Sequence, residues 1–126
     1  MEIEELIGLH VNIDDVIYMP SLEAPSDRPH PFVYFVTINN DSDEPVTIRG
    51  RKWVLTQRNG EKAIVEGDGV VGQFPKLEVG ADFSYNSYHV IGADSVVEGA
   101  FFGETEEGRA IYTKIPTFDL EVPKWA

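Results

Sequence analysis

The chain has 126 residues, 42% of them hydrophobic and 25% charged, a composition that fits one ordinary folded domain and excludes disordered, collagen-like and low-complexity classes. Its 22 acidic residues outnumber 10 lysines and arginines, so the net charge is -12 and neither nucleic acid nor an anionic membrane surface is an expected partner. The absence of cysteine excludes disulfides, thiolate nucleophiles and thiolate metal sites.

Residues 1–9 read as an N-terminal extension and 10–126 as a single domain. Within the extension, Ile3, Leu6 and Ile7 have helical spacing, but so short a helix is marginal alone and a frayed end is expected. Val11 to Tyr18 is a β-branched stretch that stops at Pro20, and Pro20, Pro25, Pro29 and Pro31 make the following segment a loop or an irregular edge. Phe32 to Ile38, all aromatic or β-branched, is the strongest strand and is expected at the centre of a sheet. Val46 to Gln57 is a further strand, with Gly50 marking a bulge. Arg58-Asn59-Gly60-Glu61 predicts a hairpin with a type I′ turn at Asn59-Gly60. Ala63 to Val65, Phe83 onward, Val96 to Phe102 and Ala110 to Ile115 supply more short strands, punctuated by turns at Leu77–Asp82, Gly92–Ser95 and Glu106–Gly108. Pro116 and Pro123 confine Phe118 to Val122 to an edge or terminal strand. About seven strands with almost no helical periodicity predict an all-β fold, an antiparallel sandwich or barrel.

Gly67-Asp68-Gly69-Val70-Val71-Gly72 has the G-x-G-x-x-G spacing that lets a backbone approach a pyrophosphate at a helix N-terminus. Pro75 and Gly80 leave no room for that helix, and Glu66 and Asp68 repel phosphate. The glycines are therefore read first as structural, with Gly67, Gly69 and Gly72 kept as a weak anion-binding loop. Asn39, Asp41 and Asp43 alternate like the first ligands of a calcium loop, but the sixth position is Glu44 and the twelfth is Gly50, so a solvated connection is expected. His10, His30 and His89 show no metal-ligand spacing, and no catalytic signature is present. No metal site, no cofactor and no catalytic residue are assigned. Arg49, Arg51 and Lys52 flank Trp53, read as an indole in the core with arginines at its rim.

Several ordered segments resemble the ApaG domain family: Phe32-Val33-Tyr34-Phe35-Val36-Thr37-Ile38-Asn39-Asn40, Arg51-Lys52-Trp53-Val54-Leu55-Thr56 with Asn59-Gly60, Gly67 to Leu77 with Gly80, Phe83-Ser84-Tyr85, and Ile115-Pro116-Thr117-Phe118-Asp119-Leu120. Lys52, Ser87-Tyr88 and Asp94 to Gly99 depart from the family's usual residues. The resemblance implies an immunoglobulin-like or fibronectin-type-III-like sandwich, a genetic link to cobalt and magnesium efflux in bacterial members, and a protein-interaction role in eukaryotic relatives.

The favoured expectation is a small non-enzymatic domain that binds a protein partner through sheet edges or loops, within metal-ion homeostasis. The alternatives are a phosphate or nucleotide ligand, or an enzymatic use, at the Gly67 to Gly72 loop, and a divalent cation held by converged carboxylates. Open sheet edges are also able to pair two copies. No apolar run reaches the roughly 18 residues of a membrane span, and Met1 to Glu5 is acidic where a signal peptide is basic, so a cytoplasmic location is expected.

Overall fold

The computed structural model describes residues 2–126. Nine strands are found among them: β1 (Glu4–Glu5), β2 (Leu9–Tyr18), β3 (His30–Asn40), β4 (Val46–Gln57), β5 (Lys62–Asp68), β6 (Lys76–Leu77), β7 (Asp82–Ile91), β8 (Ser95–Thr105) and β9 (Ala110–Leu120). One sheet runs β1-β9-β8-β4-β5 with β6 added to β4, and the second runs β2-β3-β7. The fold is an all-β sandwich, with nine strands where about seven were expected. The two extra strands are two-residue pieces, too short to leave a periodic signal. As expected, the aromatic strand β3 is central in its sheet.

Every ladder is antiparallel except that of β1, which pairs in parallel with β9 at Glu4↔Ile111 and Glu5↔Tyr112. The expected frayed end is thereby corrected. Leu6 is buried and its amide donates to the Tyr112 carbonyl at 3.1 Å, so a tertiary contact orders a segment too short to order itself.

Two further corrections concern backbone geometry. The expected type I′ turn at Asn59-Gly60 is a three-residue loop: the Gly60 amide donates to Gln57 O at 2.8 Å, and Gln57 donates to Glu61 O at 2.8 Å. Gly60 has φ +89°, whereas Asn59 does not enter positive φ, the pattern of a type I turn closed by a glycine bulge. Positive φ at both central positions occurs instead at Val71 (+48°) and Gly72 (+76°), where Val70 and Gln73 exchange amide bonds at 2.8 and 3.0 Å.

The bulge predicted near Gly50 lies between Ile48 and Gly50. It reverses the alternation of β4, so that Ile48, Trp53 and Leu55 all enter the core although strict alternation separates Ile48 from the other two. Trp53 is fully buried between the sheets, with ring centroids 4.7 Å from Tyr34, 6.1 Å from Phe101 and 6.3 Å from Phe118. Its indole nitrogen has no hydrogen-bond partner. Burying roughly 200 Å² of indole contributes about 5 kcal/mol, against about 1–3 kcal/mol for one unpaired donor, so packing prevails at this position.

Candidate functional site

The chemistry-bearing residues gather where β4, β5 and the glycine-rich loop meet. Because of the bulge, Arg49 and Arg51 do not share a face as unbroken alternation predicts. Arg49 points away from the core, pairs with Glu104 at 2.7 Å and lies 5.5 Å from the centre of the Phe74 ring. Arg51 stands opposite Gly67 in the β4–β5 ladder, and its Nη1 donates to the carbonyls of Asp68 at 3.0 Å and Gly69 at 3.2 Å. A Cβ on Gly67 would sit 3.1 Å from that nitrogen, so glycine there leaves room for the guanidinium.

This contact shapes the loop that carries Gly67, Gly69 and Gly72. Gly67 belongs to β5, and Gly69 has φ +63° with its amide donated to Arg49 O at 2.7 Å. The amides of Gly69, Val70 and Gln73 all bind carbonyls within the chain, while two loop carbonyls face Arg51. The next element after Gly72 is strand β6, so the loop's donors and the dipole of a following helix are not assembled as they are around a pyrophosphate. Val70 is fully buried, which anchors the loop to the core.

The histidines are dispersed. His10 contacts Asp41 at 2.6 Å on the surface, and His30 Nδ1 meets the Tyr18 hydroxyl at 2.9 Å. His89 is buried against Tyr34 and Trp53, and its Nε2 has no partner. Burial lowers its pKa from 6.5 to about 4, keeping the imidazole neutral. Burial also raises the hydroxyl pKa values of Tyr34 and Tyr85, so neither is primed as a base near neutral pH. No cluster of three or more histidine, aspartate or glutamate side chains with metal-binding geometry occurs among the described residues.

Around Asn39, Asp41 and Asp43 the organising residue is Asn40, which sequence reading missed. Its buried Nδ2 donates to the carbonyls of Glu44 at 3.0 Å and Leu77 at 2.9 Å, while Oδ1 accepts from the amide and hydroxyl of Ser42 at 3.1 and 2.6 Å. The amide side chain thus ties the β3–β4 connection to β6. A connection held in this way is structural.

β5, like β2 and β7, is an edge strand with a single long neighbour. Among the described residues it pairs with β4 alone, and Ile64 and Val65 are 57% and 40% exposed. The ladder closes through Gln57 N–H to Glu61 O and Gly69 N–H to Arg49 O, with continuous register between. Odd-numbered residues of β5 therefore turn their amides and carbonyls toward β4, and Lys62, Ile64, Glu66 and Asp68 turn theirs outward. No sequence signal carried this, because the free side of a strand depends on which neighbours the fold supplies.

The ApaG domain family model matches residues 20–104, two thirds of the chain, from the proline-rich segment almost to the end of β8. The chain belongs to the ApaG domain family. A protein named ApaG from Shewanella woodyi is 35% identical over 123 residues, covering 97% of this chain and 95% of that protein. The ApaG protein of Bdellovibrio bacteriovorus is also 35% identical, over 86% of each chain. The crystal structure of an ApaA protein from Bordetella pertussis superposes with a TM-score of 0.82 at 28% identity, over 98% of this chain and 99% of that one. The similarity to the Shewanella woodyi protein and to the Bordetella pertussis structure extends past both limits of the family model. No helix of the described residues is long and apolar enough to cross a membrane.

Proposed function

We propose that this ApaG domain is a non-enzymatic binding module that accepts an extended protein segment as an added strand on the free edge of β5. The observation that carries the reading is the row of outward-facing backbone groups at Lys62, Ile64, Glu66 and Asp68, beside two exposed β-branched side chains. Strand addition draws affinity from such main-chain groups and selectivity from alternate side chains. The link of the family to cobalt and magnesium efflux, implied by the resemblance, supports a role for this module in metal-ion homeostasis.

Ile64→Pro tests the reading, because it deletes one outward donor while the β4 ladder keeps all its bonds. Capture from the native cell is expected to recover a protein with the natural chain and to lose it with Ile64→Pro, both proteins showing the same thermal unfolding. Equal recovery by both, or turnover of a small molecule by the pure domain, overturns the proposal.

A further inference from the structure

The outward half of β5 complements itself. In the run Lys62-Ala63-Ile64-Val65-Glu66-Gly67-Asp68, an antiparallel copy centred on Val65 sets Lys62 opposite Asp68 and Ile64 opposite Glu66, twice over by symmetry. Those four residues are the ones whose amides and carbonyls face away from β4, so this register matches donors with acceptors throughout. A shift by one residue would pair outward groups with inward ones, and a shift by two would break both Lys62–Asp68 pairs.

Side chains agree with the backbone. Lys62 and Asp68 are both exposed, and neither appears in an ion pair among the described residues. Val65 would meet its own copy at the symmetry axis, Gly67 would face Ala63, and Glu66 would lie diagonal to Lys62, within reach of its long side chain. Ile64 and Val65, exposed in the single chain, would each gain a cross-strand neighbour in the same step.

We infer that the segment received by β5 is β5 of a second copy of this chain, forming a two-fold dimer in which the two larger sheets become one continuous sheet. This rests on the proposed use of the β5 edge and names its occupant. The high like charge on both copies opposes association at long range, and salt screens that repulsion. The dimer therefore tightens as ionic strength rises toward physiological values.

Sedimentation velocity on the full chain and its variants tests the inference. The natural chain is expected to dimerise with increasing concentration. Lys62→Glu and Asp68→Lys each replace two attractive pairs by two repulsive ones, and each should raise the dimer dissociation constant by roughly 10-fold. An equimolar mixture of the two variants restores opposite charges at both pairs, as does the double variant, and both should return close to the natural value. Net charge alone predicts differently, since Lys62→Glu makes the chain more acidic and Asp68→Lys less so. Opposite effects of the two variants, no recovery on mixing, or a natural chain that stays monomeric at millimolar concentration would overturn the inference. If the chain stays monomeric while Ile64→Pro still abolishes partner capture, the occupant is wrong and the edge reading stands. If Ile64→Pro changes neither capture nor self-association, both fall.

Discussion

The His89 imidazole stacks on the Tyr34 ring, with centroids 4.5 Å apart and planes inclined by 26°. Trp53 packs against both rings, 4.7 Å from Tyr34 and 4.9 Å from His89 and nearly edge-on to the imidazole, so protonation of His89 would place a cation in a buried aromatic cluster. The stack works as packing only while the imidazole is neutral.

Stability should therefore fall in acid. Between about pH 6.5 and pH 4 the unfolded imidazole binds a proton that the folded one refuses, so the contribution is complete above pH 6.5 and is lost as pH falls toward 4. The difference amounts to about 3 kcal/mol. Urea unfolding across this window should show that loss for the natural chain, and a shallower dependence for His89→Phe, which preserves the stack without the titration. Parallel pH profiles would remove His89 as the cause.

Asn40→Ala should lower unfolding free energy by about 2–4 kcal/mol, since it strips partners from the Leu77 and Glu44 carbonyls and from Ser42 in a buried place. Asn40→Asp should do no better, because a carboxylate cannot donate to two carbonyls. Chemical denaturation of both variants decides the matter, and an aspartate that behaves like asparagine would refute the assigned orientation.

Val71 carries a β-branched side chain at φ +48° and is more than half exposed, so it loses conformational energy at this turn and gains little from burial. Asparagine tolerates this region, and Val71→Asn should stabilise the domain by about 1 kcal/mol, seen as a melting temperature higher by roughly 3–5 °C. A lower melting temperature would mean that the valine makes a contact outweighing its strain.

Gly99 presents a different constraint: a Cβ there would lie 2.4 Å from Lys52 O and 2.9 Å from Ile115 Cδ1. The isoleucine tip can move, but the carbonyl belongs to the β4–β8 ladder and cannot. Gly99→Ala should cost about 2–4 kcal/mol in urea unfolding. Gly108→Ala tests positive φ without crowding, because a Cβ there would meet no atom within 4 Å, and it should cost about 1 kcal/mol. Equal losses for the two variants would remove crowding as the reason for glycine at position 99.

Much of the architecture was visible along the chain. Phe32 to Ile38 marked a central strand by composition, and Phe83, Tyr85, Ser87, His89 and Ile91 lie on one face by alternation, so the core position of His89 was legible in the pattern of β7. Asn40 had no such signal, since its partners at Leu77 and Glu44 converge only when β6 docks on β4. Positive φ at two central positions falls at Val71-Gly72 and not at Asn59-Gly60, where the Gln57–Glu61 closing pair leaves three loop residues in place of two.

What the residues alone determined was an acidic, cysteine-free, all-β domain with ApaG-type segments in order, because alternation, turn chemistry and charge are local properties. Strand neighbours, the face taken by each arginine, and the open side of β5 were decided only in three dimensions. A strand offers hydrogen-bonding groups on both sides whatever its sequence, and the packing of the remaining strands determines which side stays free.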